Sequence, residues 1–176
     1  CLQVITIADN VAPVVTCPGN VTIQCTASTL PTNTGNATAT DVCDATPTIT
    51  FSDVTVGGAC PQEYTITRTW SATDDCGNTG TCNQTIIVDD SQAPICAAQN
   101  ITVSLNGNGM VTIQASQVNN GSSDACGPVT LAVSPSNFDC TDLGQNLVTL
   151  TVTDCPGNTS TCTAFVTVED NGGLEA

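Results

Sequence analysis

The run Asp75-Cys76-Gly77-Asn78-Thr79-Gly80-Thr81-Cys82 returns, one residue longer, as Asp154-Cys155-Pro156-Gly157-Asn158-Thr159-Ser160-Thr161-Cys162. Each copy leads into an alternating apolar stretch that ends in acids, Ile86-Ile87-Val88-Asp89-Asp90 and Phe165-Val166-Thr167-Val168-Glu169-Asp170. Upstream, Ala12-Pro13 recurs as Ala93-Pro94, Asn20-Val21-Thr22-Ile23 as Asn100-Ile101-Thr102-Val103, and Asp41-Val42-Cys43 as Asp124-Ala125-Cys126. Cys60 falls opposite Cys140. Several matches at nearly one offset identify a tandem array with a period of about 80 residues. That constrains the fold more than any single motif, because each unit must bury a core within that length.

The ends of the chain align with the same array. Cys1-Leu2-Gln3-Val4-Ile5-Thr6-Ile7-Ala8-Asp9 matches Cys82 to Asp90, so residues 1–9 are expected to be the last strand of a preceding repeat. Residues 10–90 and 91–170 are the two repeats, and 171–176 read as a linker to a following one. The chain is thus expected to be a piece of something longer. A rival reading makes Cys1 a lipidated mature N-terminus; it explains the cysteine but not the alignment.

Within each repeat, residue choice points to strands. Thr, Val and Ile dominate, and β-branched side chains suit a pleated, half-buried surface better than a helix. Fourteen Gly and nine Pro punctuate the alternating segments, as turns require. Alternation places strands at 14–25, 36–41, 47–56, 62–73 and 82–88, then at 100–105, 110–118, 129–134, 146–153 and 162–168. In the fourth strand, Tyr64, Ile66, Arg68, Trp70 and Ala72 share one face. Arg68 is therefore expected on the apolar side, near its rim and paired with an acid. Short strands at this density predict an all-β fold of tandem immunoglobulin-like β-sandwich repeats.

Chemistry is bounded by what is missing. The chain has no His, one basic residue (Arg68) and sixteen acidic ones, for a formal charge of −15. His-dependent triads, Lys nucleophiles and His-ligated metals are excluded, and phosphate-backbone binding has no cations to run on. No apolar run approaches the ~18 residues of a membrane span. The adjacent acids Asp74-Asp75 and Asp89-Asp90 do not form an acid–base pair, because neighbours on a strand face opposite ways; turn capping explains them better. Asn20, Asn36, Asn83, Asn100, Asn120 and Asn158 open N-x-S/T sequons, which a Thr-rich chain produces by chance.

Twelve cysteines carry more information. Their spacing lacks the close C-x2-C pairs of zinc sites, so disulfides in an oxidising compartment are the better reading. The protein is expected outside the cell, at its surface. In an immunoglobulin-like sandwich the first strand can lie parallel to the last, which pairs Cys17 with Cys82 and Cys96 with Cys162. Matching of strand ends suggests Cys43–Cys76 and Cys25–Cys60 as well.

Ala-Pro followed by Cys17-Pro18-x-Asn20-Val21-Thr22-Ile23, with the later Thr73-Asp74-x-x-Gly77-Asn78-x-x-Thr81-Cys82-x-x-x-Ile86-x-Val88, resembles the HYR (hyalin) repeat, an immunoglobulin-like module. The stretches Asp124-Ala125-Cys126-Gly127 through Phe138-Asp139-Cys140, and Gln62 through Trp70, are similar to HYR-like repeats in large secreted Bacteroidota proteins, gliding-motility adhesins among them. The resemblance covers residues 1–170. It implies a cell-surface adhesive or spacer role, type IX export and no catalytic residue. It also implies a Cys126–Cys140 bond, leaving Cys155 odd. Two departures stand out: Leu105 replaces Cys25 in the second repeat, and Cys155 exceeds the usual four cysteines.

The functional expectation is a rigid, disulfide-locked spacer in adhesion or surface motility, touching neighbouring repeats of its own chain. The alternatives are an array that binds surface polysaccharide, with Trp70 and Tyr64 as the only strong platform candidates, or a subunit that exchanges strands with other copies. Calcium is the one expected cofactor. Asp9, Asn10, Asp89, Asp90, Glu169 and Asp170 recur at the hand-over between repeats, and Asp41, Asp44, Asp74, Asp124 and Asp154 fall in loops expected at the same end. Ca²⁺ takes six to eight oxygens. Without Lys to neutralise these acids, a cation would relieve their repulsion.

Overall fold

The computed structural model describes residue 3 and residues 8–170. The strand expected over residues 1–9 therefore lies largely outside the described residues, and the linker over 171–176 lies wholly outside them. The chain divides into two compact units, Cys1–Asp90 and Ser91–Ala176.

The first unit contains β1 (Val14–Thr16), β2 (Val21–Gln24), α1 (Pro31–Thr34), β3 (Thr38–Thr40), β4 (Thr48–Gly57), β5 (Tyr64–Thr73) and β6 (Thr79–Asp89). One sheet has the order β2-β6-β5-β4, and β1 pairs with β3 in a second. The single strand expected over 14–25 is thus two strands in different sheets. Pro18, which has no N–H to donate, and Gly19 sit where the chain leaves one ladder for the other. The remaining pairs are antiparallel, but β2 runs parallel to β6, from Val21 opposite Ile86 to Gln24 opposite Asp89. First and last strands of the sheet are therefore neighbours pointing the same way.

The second unit repeats the plan with β7 (Ile101–Ser104), β8 (Met110–Thr112), α2 (Ala115–Val118), β9 (Thr130–Ser134), β10 (Asn137–Asp139), β11 (Gly144–Thr153) and β12 (Thr159–Glu169). Its main sheet is β7-β12-β11-β9, with β7 again parallel to β12. The strand expected over 110–118 stops at Thr112. Residues 115–118 instead form a short helix, whose entry is fixed by the Gln117 side chain accepting from the Gln114 N–H at 2.7 Å. Its last residue, Val118, is fully buried. Burial of one apolar residue here outweighs the weak helix propensity of the segment. No helix among the described residues is long and apolar enough to cross a membrane. The architecture is all-β and immunoglobulin-like.

The two cores differ. In the second unit Val148, Leu150 and Val152 of β11 and Ala164, Val166 and Val168 of β12 alternate inward onto Ile113, Val118 and Phe138. Each fully buried Val or Leu contributes about 1.5–3 kcal/mol. The first unit has a smaller apolar cluster of Ile66, Ile86 and Val88. Beside it the even-numbered face of β5 carries Arg68, which is 1% exposed rather than at the rim. Its Nε and Nη2 donate to the two carboxylate oxygens of Asp53, each at 2.8 Å. Nη1 donates to Thr34 Oγ1 at 3.0 Å and Nη2 also to the Thr29 carbonyl at 2.9 Å. The guanidinium stacks over Phe51, 4.4 Å from the ring centre. Buried Gln84 completes the network, donating to the Gly19 and Thr34 carbonyls and accepting from the Trp70 indole.

Candidate functional site

Three segments of the first unit converge on one acidic cluster. Carboxylate oxygens of Asp9, Asp41 and Asp74 lie within 4.8 Å of one another. Asp74 is held by a turn that both units share. Its backbone N–H donates to the Asn78 carbonyl, while its side chain accepts from the backbone N–H groups of Cys76 and Asn78 and from the Asn78 amide. Gly77 lies at φ 90°, a conformation that favours glycine. Asp154, Gly157 and Asn158 form the same turn in the second unit, with Gly157 at φ 101°. The Asp41 carboxylate accepts from the N–H groups of Cys43 and Asp44. The Asn78 amide reaches the Asp9 carbonyl at 3.1 Å, and the Asp75 N–H reaches Asp44 at 3.2 Å. Burial works against ionising Asp74, but the Asn78 side chain and the N–H groups of Asn78, Cys76 and Gly77 outweigh it and hold the carboxyl below its usual range.

The other acids named from the sequence are placed differently. Asp89 and Glu169 are the last residues of β6 and β12, and their carbonyls accept from the Cys25 and Leu105 N–H groups. Asp90 accepts from the Gln24 amide at 2.7 Å. The Asp124 carboxylate accepts from the Cys126 N–H at 2.6 Å. Asn10 and Asp170 are exposed. Asp9, Asp41 and Asp74 are hard oxygen donors of the kind Ca²⁺ takes. Asp74 spends both of its carboxylate oxygens on the turn, so Asp9 and Asp41 are the better-placed ligands. The sole cation of the chain is committed to Asp53 and neutralises none of them.

The cysteines build the frame around these loops. Disulfides join Cys17 to Cys82, with Cα atoms 5.9 Å apart, and Cys96 to Cys162, 5.7 Å apart. Each links the segment entering the parallel edge strand to the last strand of its unit. Cys25, Cys60, Cys126 and Cys155 are disulfide-bonded too. Two expected pairings need correction: Cys43, Cys76 and Cys140 are exposed free thiols. Cys43 and Cys76 are not joined, and Cys126 is not bonded to Cys140. Cys155 is not the odd cysteine. The Cys43 thiol is raised above its usual range, first by the neighbouring Asp9 carboxylate and then by local desolvation and Asp41. A suppressed thiolate is a poor nucleophile for disulfide formation. In the second unit Leu105 occupies the position that Cys25 holds in the first.

Trp70 is 3% exposed with its indole N–H on Gln84, so it offers no surface for a sugar ring. A shallow cleft of about 300 Å³ in the second unit is lined by Asn106, Met110, Val111, Thr112, Asn137, Phe138 and Asp139. Its one titratable group, Asp139, caps the following turn through Thr141, whose hydroxyl and N–H hold the carboxyl below its usual range.

No protein-family model and no curated protein sequence matches the chain. Among solved structures, the human mucin-like protocadherin EC1-2 fragment is 12% identical over 90% of this chain and 98% of its own, at a TM-score of 0.42. Drosophila N-cadherin EC1-4 is 13% identical over 90% of this chain, which spans about half of it (49%), at 0.38. The Ig1-2 module of the Drosophila receptor tyrosine phosphatase DLAR is 8% identical over 90% of this chain and 99% of its own, at 0.29. At such scores these likenesses carry no functional argument.

Proposed function

We propose that the chain is a load-bearing spacer segment of an extracellular adhesion protein, built from disulfide-locked immunoglobulin-like repeats. One observation carries the reading. In each unit the first strand of the main sheet lies parallel to the last, β2 beside β6 and β7 beside β12. Tension applied through the two ends of a unit would draw such strands past each other along their length. With the disulfides reduced, their hydrogen bonds would share the load together; with Cys17–Cys82 and Cys96–Cys162 intact, tension crosses the covalent bond and leaves β2 and β7, which lie inside the closed loops, unloaded. Beside that ladder, Cys17–Cys82 and Cys96–Cys162 close loops with sequence separations of 65 and 66. Each loop contributes about 4 kcal/mol through the chain entropy of the unfolded state.

Eight disulfide-bonded cysteines support a site of action outside the cytoplasm. The HYR-like motifs extend the reading to a large surface adhesin of the gliding-motility type, exported by the type IX route, with residues 1–9 completing a preceding repeat. Calcium belongs to the same reading. Bound by Asp9 and Asp41, with Asp74 behind them, it would supply the positive charge that stiffens the loop cluster. A glycan array separates the spacer from the polysaccharide-binding alternative: the spacer gives no saturable signal, whereas selective, saturable binding of one glycan class would overturn it.

A further inference from the structure

β4 is the outermost strand of its sheet, and among the described residues nothing pairs with its outer edge. Its counterpart in the second unit, β9, has five residues and stops at Ser134, just before Pro135. Pro supplies no N–H, which blunts an edge. β4 has ten residues, and where Pro135 would fall it carries Asp53 and continues to Gly57. Neither Pro nor Lys interrupts the added stretch. Val54 and Val56 are 66% and 65% exposed on its outward face.

The electrostatics of this edge are unlike those of the chain as a whole. Asp53 is the only charged residue of β4, and Arg68 neutralises it at 2.8 Å. The strand is therefore charge-compensated in a chain of net charge −15. Two copies meeting through their acidic loops bring acid against acid, because the one basic side chain is buried; β9, the other uncharged outer edge, is only five residues long and ends before Pro135. A cationic partner would be drawn to the acidic surface rather than to this neutral strand. An antiparallel pair of β4 strands, by contrast, matches neutral edge to neutral edge and sets the Val54–Val56 stretch of one copy against that of the other.

We infer that the outer edge of β4 pairs with β4 of a second copy, antiparallel and about a two-fold axis, joining two four-stranded sheets into one. The inference goes beyond the spacer reading and does not rest on it. Two paired edges bury less than the roughly 1,200 Å² of stable interfaces, so a single contact is weak. Many such contacts along an array would sum to firm lateral adhesion.

Sedimentation velocity of this 176-residue chain with EDTA present, across a protein concentration series, tests it without involving calcium. The expected result is a reversible dimer that tightens as salt shortens the screening length from about 10 Å to about 3 Å. Val54→Asp with Val56→Asp should weaken the dimer at least about tenfold by setting like charges together. Leu147→Asp, an exposed site in the second unit, should leave it unchanged. If the doubly substituted chain loses its fold by circular dichroism, hydrogen exchange on the unsubstituted chain decides instead: amides of residues 52–56 should slow as concentration rises. A monomer at every concentration and salt, or a dimer without that protection, overturns the inference.

Discussion

Arg68 and Val148 occupy the same place in their respective units. Each lies on the penultimate strand, Arg68 opposite Gln84 and Val148 opposite Ala164, and each is shielded from solvent. The same architecture is thus closed in one unit by a hydrogen-bonded cation and in the other by hydrocarbon. The exchange extends to the short helix, where Thr34 in one unit and Val118 in the other are buried.

This relationship predicts asymmetric mutational costs. Asp53→Ala leaves the buried guanidinium without its counter-charge and should cost about 3 kcal/mol. Replacing the network together, Thr34→Val with Asp53→Ser, Arg68→Val and Gln84→Ala, removes both charges at once and should cost less than Asp53→Ala alone. Urea unfolding of the three proteins checks the order.

Gly80 lies against the Pro13 backbone, and a Cβ at that position would collide with the Pro13 carbonyl oxygen. Its counterpart Ser160 carries a side chain, so the restriction belongs to the first unit. Gly80→Ala should destabilise by about 1–3 kcal/mol. Ser160→Gly should cost less, and thermal melts of both variants measure the difference.

Much of this organisation was legible in the residues. The offset of 80 between Asn78 and Asn158 marks the repeat, and the even face of β5 is the buried one. The strand order that sets Cys17 opposite Cys82 is the order present. Less visible were features set by tertiary context. Pro18 and Gly19 break one apparent strand into two, which local alternation does not register. Four residues ending in Val118 become helical because the core needs that side chain. The raised titration of the Cys43 thiol comes first from Asp9, a residue 34 positions away in the chain, and spacing between cysteines carries no trace of it.

Acid should lower the stability of the protein in a defined window. Asp74 and Asp139 titrate below their usual range in the folded state. Their stabilisation is present above the unfolded carboxyl value of about 3.9 and is lost as pH falls through the lower folded values. Cys43 works the other way: its folded value is raised, so its contribution holds below the unfolded thiol value of about 8.5 and is lost as pH rises through the folded one. Between those limits these three groups add no pH dependence of their own. Asn78→Ala should reduce the acid-side loss in a series of urea melts.

Alkylation of the native, non-reduced protein followed by peptide mapping should label Cys43, Cys76 and Cys140. Cys17, Cys82, Cys96 and Cys162 should remain unlabelled. Label at any of those four would contradict the disulfide frame.

For calcium, calorimetry on metal-free protein should show binding heat at about 1 mM Ca²⁺, in the range of extracellular modules. Asp9→Asn with Asp41→Asn should reduce that heat. An unchanged isotherm in the variant would remove those two residues from the site.

The spacer account is tested most directly by pulling single molecules end to end, with and without reductant. With the bonds intact, stretching should release only the residues outside the Cys17–Cys82 and Cys96–Cys162 loops. With reductant, each unit should lengthen by about 65 further residues, roughly 220 Å at ~3.4 Å per residue. Long steps without reductant, or identical traces in both conditions, would show that the loops are not locked and that the chain does not carry load in this way.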